Sequence, residues 1–484
     1  MDPSFTNVSS FEIVAPALAL LIAGCGILTA ILFRPSEGEA SSRSSSTDGW
    51  AWTSLALILL IWGSWWMSGE ASREVTSRLF MADKLSTHGI HLTLLGGAFI
   101  TAIAIYLTPR RFAAEFHGCL LILLAGLAFV ATAADLTTLY VGLEMVSIPT
   151  TVLLAISRRD DAGREATLKY FALSAFSSGI FLMGASYLYG LTGTTQLTTI
   201  VATIGRNPSA MVQLALALIM AGLAFRITAV PFHFYAPDVF SGSSLTVASL
   251  LAFLPKVAGF LAIVRLLGGA KLEGALGESV LPILLGLGVV TMTLGNALAL
   301  VQTSWRRLLA YSSVAHTGYL LIGLAALLQQ SASPQPVFAY LAAYAAMTLG
   351  VFAGLASMMS TGDEDVSVDG LRGLYSRHPG LAIAITLALL SLIGMPLTAG
   401  FWAKLQLILA AVQTDNRAIQ ISAVIMALNA AIAAVYYFNG IVQMYLAPDK
   451  KETSPIHGEW NPAAVACAAC ACITLFWFFV PSWM

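Results

Sequence analysis

Charge is what this sequence has least of. Only 10% of its 484 residues are charged, where soluble domains carry about a quarter. Hydrophobic residues make up 58% and mean hydropathy is +0.81, which excludes a water-soluble globule and marks an integral membrane protein. Cysteine is scarce too, at five residues. Three of them, Cys467, Cys470 and Cys472, fall in one apolar run with a spacing that superficially suggests a metal site. No fourth donor accompanies them and a metal needs several deprotonated or imidazole ligands, so no metal site is expected and small-residue helix packing is the better role. The chain also lacks a Gly-rich dinucleotide fingerprint, a Walker loop and a zinc-protease helix motif. It is therefore not expected to bind a nucleotide itself or to drive transport with ATP.

What is present is a series of long apolar runs. A helix crosses a hydrocarbon core of ~30 Å with about 20 residues, and that length yields about fourteen spans, at 11–33, 50–67, 87–107, 112–132, 133–157, 165–191, 210–232, 244–269, 278–300, 306–329, 335–360, 380–411, 418–446 and 462–481. Backbone groups in lipid must be paired within their own segment, so the spans are helical and the predicted fold is an all-α polytopic membrane protein. The first segment is too long, and its front too poor in basic residues, for a cleaved signal. Residues 34–49 (Ser-rich) and 361–379 (acidic, then basic) read as solvated loops, too short for domains.

The net charge of −1 hides an asymmetry. Odd-numbered loops carry Arg34, Arg43, Arg110, Arg111, Arg158, Arg159, Arg164, Lys169, Arg306, Arg307, Arg372, Arg377, Lys450 and Lys451; even-numbered ones carry only Arg73, Arg78, Lys84, Arg206, Arg265, Lys271 and Arg417. The positive-inside rule puts the odd loops in the cytoplasm and both termini on the outer, periplasmic side of a bacterial inner membrane. Trp50, Trp52, Trp62, Trp65 and Trp66 read either as interfacial anchors of the second span or as lipid-facing packing.

Two spans look interrupted. The seventh runs into Val230-Pro231-Phe232-His233 and Ala236-Pro237-Asp238, and the twelfth contains Gly394-Met395-Pro396 and then Gly400. Proline removes a hydrogen bond and kinks or breaks a helix. Two such segments five spans apart, each beside a buried cation, fit an inverted repeat with its site near the midplane. The expected division is 1–111 (helices 1–3), 112–269 (first repeat, helices 4–8), 278–446 (second repeat, helices 9–13) and 447–484 (helix 14).

Against this apolar background Glu144, Arg226, Lys256 and Lys404 stand out. A charge at a helix centre costs roughly 2.5–3.5 kcal/mol on insertion scales, so the four would cost on the order of 10 kcal/mol, comparable to the net stability of a domain. Movement of charge or protons is the first reason to consider for keeping them. Glu144 and Arg226 differ in depth by roughly 7 Å, from a rise of 1.5 Å per residue, which an arginine can bridge; they form either an acid–base pair or a static ion pair locking two helices. Lys256, after Pro255, and Lys404, just beyond the second break, are candidate relays, with snorkelling to an interface as the alternative. His316 lies between the lysines in sequence and can pass protons, or it hydrogen-bonds a neighbour. His233, beside the first break, carries the same pair of readings, with helix-end capping as its simpler one.

The stretches Lys169-Tyr170-Phe171, Leu188-Tyr189-Gly190-Leu191-Thr192-Gly193-Thr194, Val230-Pro231-Phe232-His233, Leu254-Pro255-Lys256, Arg307-Leu308-Leu309-Ala310-Tyr311-Ser312-Ser313 with His316, and Gly394-Met395-Pro396 with Lys404 are similar to those of the antiporter-like membrane subunits of respiratory complex I. The N-subunit family of NADH–quinone oxidoreductase, counterpart of mitochondrial subunit 2, is resembled most, from about 130 to 410. The resemblance implies a proton channel coupled to electron transfer from NADH to quinone in other subunits. Glu144 and Arg226 would form the input pair, Lys256 the centre, His316 the connection and Lys404 the outlet, with Glu165, Lys169 and His233 in support. It further implies that FMN, iron–sulfur clusters and quinone belong to partner subunits and none is bound by this chain. The implied partners are the other membrane-arm subunits, through them the peripheral redox arm, and lipid, but no nucleic acid.

The departure from that family is Arg226, where lysine is usual. Arginine stays protonated above about pH 12 and cannot relay a proton; it suffices if the mechanism needs only a positive charge beside Glu144, and impairs the subunit if the residue must deprotonate. Ser241 and Ser243-Ser244 depart as well, in the loop that follows. Two other functions fit the same residues: a subunit of a multi-subunit Na⁺/H⁺ antiporter, and a structural spacer whose charges lock helices.

Overall fold

The structure, a computed structural model, describes residues 10–31, 46–67, 75–107, 112–206, 209–268, 274–359, 366–446 and 461–479. Most of the 34–49 loop lies outside the described residues, as do 361–365 and the cations Arg34, Arg43, Arg73, Arg110, Arg111, Lys271, Lys450 and Lys451. The helices are α1 (Ser10–Ile31), α2 (Ser46–Met67), α3 (Lys84–Leu107), α4 (Ala113–Thr132), α5 (Leu136–Ser157), α6 (Asp161–Thr192), α7 (Leu197–Arg206), α8 (Ala210–Arg226), α9 (Ala236–Gly242), α10 (Leu245–Leu267), α11 (Gly274–Ala299), α12 (Trp305–Gln329), α13 (Gln335–Ser357), α14 (Leu374–Arg377), α15 (Pro379–Ile393), α16 (Ala399–Val412), α17 (Arg417–Leu446) and α18 (Pro462–Phe479). Twelve are long and apolar enough to cross a membrane, and α8, α15 and α16 are shorter apolar helices. The sequence spans map onto them directly: α8 with α9 is the seventh, α15 with α16 the twelfth.

Apolar residues all round a helix require burial all round. That is the situation of α10, of the apolar stretch of α12 and, nearly, of α13. By contrast α2, α6, α17 and α18 turn most of their surface outward. Cys467 and Cys470 are buried where α18 lies on α13, against Gly354 and Gly350; a Cβ on Gly350 would come 3.0 Å from the Cβ of Cys470. Small residues on both sides let those backbones approach closely.

The breaks have local causes. The apolar pattern extends the seventh span to 232, but the helix stops at Arg226, because Pro231 has no N–H to donate and disfavours helical geometry in the residue before it. Backbone groups freed inside a membrane must find partners in the protein. Here Thr317 Oγ1 donates to Ile227 O (2.6 Å), Val230 N–H to Thr291 Oγ1 (3.0 Å) and the Tyr235 hydroxyl to Phe225 O (3.1 Å). In the twelfth span Gly394 takes φ +89° and ends α15, a left-handed conformation glycine adopts without strain. Gly400 then sits so close to α15 that an added Cβ would lie 2.0 Å from Ser391 O.

At one end of the bundle a two-stranded ribbon, β1 (Val75–Thr76) and β2 (Met81–Ala82), delivers Asp83 to Arg265 at the end of α10. The guanidinium donates to both carboxylate oxygens (2.6 and 2.8 Å) and to Ala131 O (2.9 Å), tying α3, α4 and α10 together. Burial pushes the Asp83 carboxyl up, but the hydrogen bonds and charge of Arg265, with two bonds from Ser86, outweigh it and hold the group below its usual 3.8.

Candidate functional site

Glu144, on α5, and Arg226, the last residue of α8, meet across the interior. Arg226 Nη2 donates to Glu144 Oε1 (2.7 Å) and Ser178 Oγ (3.2 Å), while Nη1 donates to Leu143 O (2.9 Å) and to Ser147 Oγ. Ser178, on α6, also donates to Glu144 Oε1 (2.5 Å). The arginine is buried, 4% exposed, and its partner is 22% exposed. A planar fork with several donors suits this arrangement: one cation binds a carboxylate, two hydroxyls and a carbonyl at once. Because α8 ends at Arg226, the cation also stands at a helix C-terminus, where the helix dipole favours positive charge.

Lys256 is enclosed at the middle of α10. Its ammonium donates to Ser313 O (2.5 Å) and Ser313 Oγ (2.7 Å) on α12 and lies 4.7 Å from the centre of the Tyr344 ring. Neither this lysine nor Lys404 snorkels. Lys404, on α16, folds back over the break, donates to Leu392 O (2.6 Å) and Ile393 O (2.9 Å), and sits 5.4 Å from the Tyr319 ring. It thereby satisfies buried carbonyls left without helical partners at the end of α15. His316 lies between the two lysines in space as in sequence. Its ring is 5.1 Å from that of Tyr344 and 5.5 Å from that of Tyr319, and Nδ1 is 2.6 Å from the Tyr340 hydroxyl. The side chains therefore follow one another as Lys256, Tyr344, His316, Tyr319, Lys404, a row in which cation–ring contacts stabilise buried positive charge at each lysine and the Tyr340 hydroxyl bonds the histidine.

Glu165 and Lys169 are joined at the end of α6 (2.5 Å), and their surroundings are richer than the sequence suggested. Lys169 also bonds Asp238 of the half-helix α9 (2.7 Å), and Arg307 of α12 bonds the other oxygen of Asp238 (3.1 Å). Arg158 Nη1 donates to Ser241 O (3.2 Å) and Arg306 Nη1 to Ser243 O (2.7 Å), holding the far end of α9. The half-helix is thus gripped by cations from both halves of the chain. His233 remains with the break: its carbonyl accepts the N–H of Ala236 at the start of α9 (2.9 Å), and its Nδ1 is buried with no hydrogen-bond partner among the described residues.

Several members of the site escaped the sequence reading. Ser147, Ser178, Ser313, Tyr319 and Tyr344 each touch one of the charged groups, and Tyr340 touches His316. Serine in an apolar helix usually bonds its own backbone and gives no signal. Tyr340 and Tyr344 did carry one, as polar aromatics four residues apart on one face of α13.

A family model described as "NADH:quinone oxidoreductase/Mrp antiporter, TM" matches residues 133–430. NADH-quinone oxidoreductase subunit N of Geobacillus kaustophilus is 36% identical over 480 residues, covering 96% of this chain and 94% of the relative. Among solved structures, respiratory complex I from Thermus thermophilus with bound aureothin contains a chain with a TM-score of 0.80 at 28% identity, covering 96% of this chain and 97% of that one. The Mrp complex from Dietzia matches with a TM-score of 0.80 at 19% identity over 97% and 95% of the two chains, a likeness of fold alone.

Proposed function

The chain belongs to the NADH–quinone oxidoreductase subunit N family, and from that footing we propose that protons cross it through Glu144, Arg226, Lys256, His316 and Lys404. It is a multi-pass membrane-arm subunit of a translocase of the bacterial inner membrane, assembled with other membrane-arm subunits and the peripheral arm. The observation that carries the proposal is the buried row of Lys256, Tyr344, His316, Tyr319 and Lys404. Charges cost too much in a membrane interior to be kept without a role.

In this reading Glu144 takes up a proton next to the fixed charge of Arg226. Lys256 and Lys404 each release a proton as an ammonium and regain it as an amine, His316 passes it between them, and Glu165, Lys169 and His233 support the entry side. The breaks at Pro231 and Pro396 place each half-helix end beside its cation. The same reading divides the chain into repeats at 112–269 and 278–446, flanked by 1–111 and 447–484. It sets both termini on the periplasmic side, and leaves FMN, iron–sulfur clusters and quinone to partner subunits. The Na⁺/H⁺ antiporter reading has weaker support: the 36% identical relative is a subunit N, and the Mrp likeness is one of fold.

The test is NADH-driven proton uptake by inverted vesicles carrying Glu144→Gln, Lys256→Met or Lys404→Met. Each is expected to lower protons moved per NADH by at least about tenfold in a normally assembled complex, as loss of an essential transfer group does. Unchanged pumping with normal assembly in all three would sink the relay.

A further inference from the structure

On α11, α12 and α17 a second set of buried polar groups runs beside His316 and meets its row at Tyr319. Ser312, next to the Ser313 that binds Lys256, hydrogen-bonds the Tyr437 hydroxyl. The rings of Tyr437 and Tyr436 are 4.4 Å apart. The Tyr436 hydroxyl donates to Asn296 Oδ1 (3.0 Å), and Asn296 Nδ2 donates to the Tyr319 hydroxyl (2.9 Å). Tyr319 is the ring over which Lys404 sits. All of these side chains are buried. The orientation of Asn296 is fixed by its surroundings, since Nδ2 also faces Asn429 Oδ1 (3.1 Å) and Asn429 O (3.2 Å), both acceptors only at that contact.

We infer that Ser312, Tyr437, Tyr436, Asn296 and Tyr319 form a second proton branch between Lys256 and Lys404, parallel to His316. This rests on the relay reading above. The donors in its final part all point one way, from Tyr436 through the amide to Tyr319. The transfer balances without any oxidant or reductant. Lys256 gives up one proton as its ammonium becomes an amine. Each hydroxyl along the way gains a proton and releases its own, and Asn296 gains one at Oδ1 while losing one from Nδ2. The resulting imidic acid tautomerises back to the amide before the next passage, and the amine of Lys404 ends as an ammonium. His316 reaches the rings beside the two lysines edge-on at Tyr319 and tilted at Tyr344, whereas this branch begins at Ser312, the chain neighbour of the Ser313 that Lys256 bonds. Buried hydroxyls and amides joined across three membrane helices could serve as helix glue alone, and that is the outcome the experiment must separate.

The experiment compares His316→Gln, Tyr437→Phe, Asn296→Leu and the doubles His316→Gln/Tyr437→Phe and His316→Gln/Asn296→Leu in the whole complex. Protons moved per NADH are measured in inverted vesicles. Assembly is followed by native electrophoresis and by NADH oxidation with an artificial acceptor. Parallel branches predict that each single variant keeps about a third or more of the pumping and that each double falls to about a tenth or less, a coupling that independent sites would not show. Two results overturn the branch: loss of pumping in His316→Gln alone with normal assembly, or doubles that pump as well as His316→Gln. Lys256→Met, run alongside, separates the two levels. If it pumps normally the relay reading itself fails; if it does not while the doubles match the single, only the branch fails.

Discussion

At Arg226 the chain uses a residue that can hold charge but not deliver it. Four acceptors surround the guanidinium, and only one of them, Glu144, is charged. A lysine there would keep the positive charge while losing part of the fork, so Arg226→Lys is expected to pump within about twofold of the parent, a difference of roughly 0.4 kcal/mol. Arg226→Met leaves the Glu144 carboxylate without its cation, with the Ser178 hydroxyl as its hydrogen-bond donor. Breaking a buried pair costs about 3–5 kcal/mol, and the lower end applies because Glu144 is 22% exposed. Proton uptake scaled to assembled complex checks both; a methionine variant that pumps normally would remove Arg226 from the mechanism. Lys404 shows another economy of function at this scale, since the ammonium proposed as the outlet also caps the carbonyls of the helix it faces.

Among the elements, the broken helices matter most. The second break closes through Gly400, whose N–H bonds Ser391 Oγ (3.0 Å) and whose missing side chain lets α16 approach α15. Gly400→Ala would force backbone apart, because the new Cβ would meet Ser391 O at 2.0 Å. Overpacking of this kind costs about 1–3 kcal/mol or more and would draw Lys404 away from Leu392 and Ile393. The expected outcome is reduced assembly, and reduced pumping in whatever assembles. A variant of ordinary stability with unchanged pumping would show that the contact at the break is not tight. The first break is secured differently, by Asp238 and the cations Lys169 and Arg307 that hold α9 from both halves.

For the whole molecule, the ends of the bundle are tied by charge and the middle by apolar packing around α10 and α12. Asp83 and Arg265 are the clearest tie. The Asp83 carboxyl is held below its usual 3.8 in the folded protein. Its contribution to stability is therefore complete above that value and disappears only as pH falls through the lowered one. Asp83→Asn is expected to lower the thermal midpoint of the purified protein by about 2–4 °C at pH 7, with the gap to the parent narrowing below pH 3.8. A gap that stayed constant into acid would mean that the pair contributes nothing through charge.

The sequence alone determined the membrane class, the fourteen spans and the two breaks, because a helix that must cross ~30 Å of hydrocarbon leaves an unmistakable length of apolar residues and proline and glycine interrupt it where they stand. It also singled out the four charges in mid-span, conspicuous against such a background, but it counted Arg265 and Arg306, both buried, among the loop charges. Burial fraction, by contrast, was invisible: α10 and α17 are equally apolar to the eye, yet one is enclosed and the other one-third buried. Only tertiary structure decided which hydroxyls serve the charges. Serine, asparagine and tyrosine are common enough in membrane helices to carry no signal until a partner on another helix is brought within hydrogen-bond range, as Asn296 is to Tyr319 and Tyr436. The sequence thus determined which charges lie in mid-span, and the packing of helices distant in sequence decided what those charges touch.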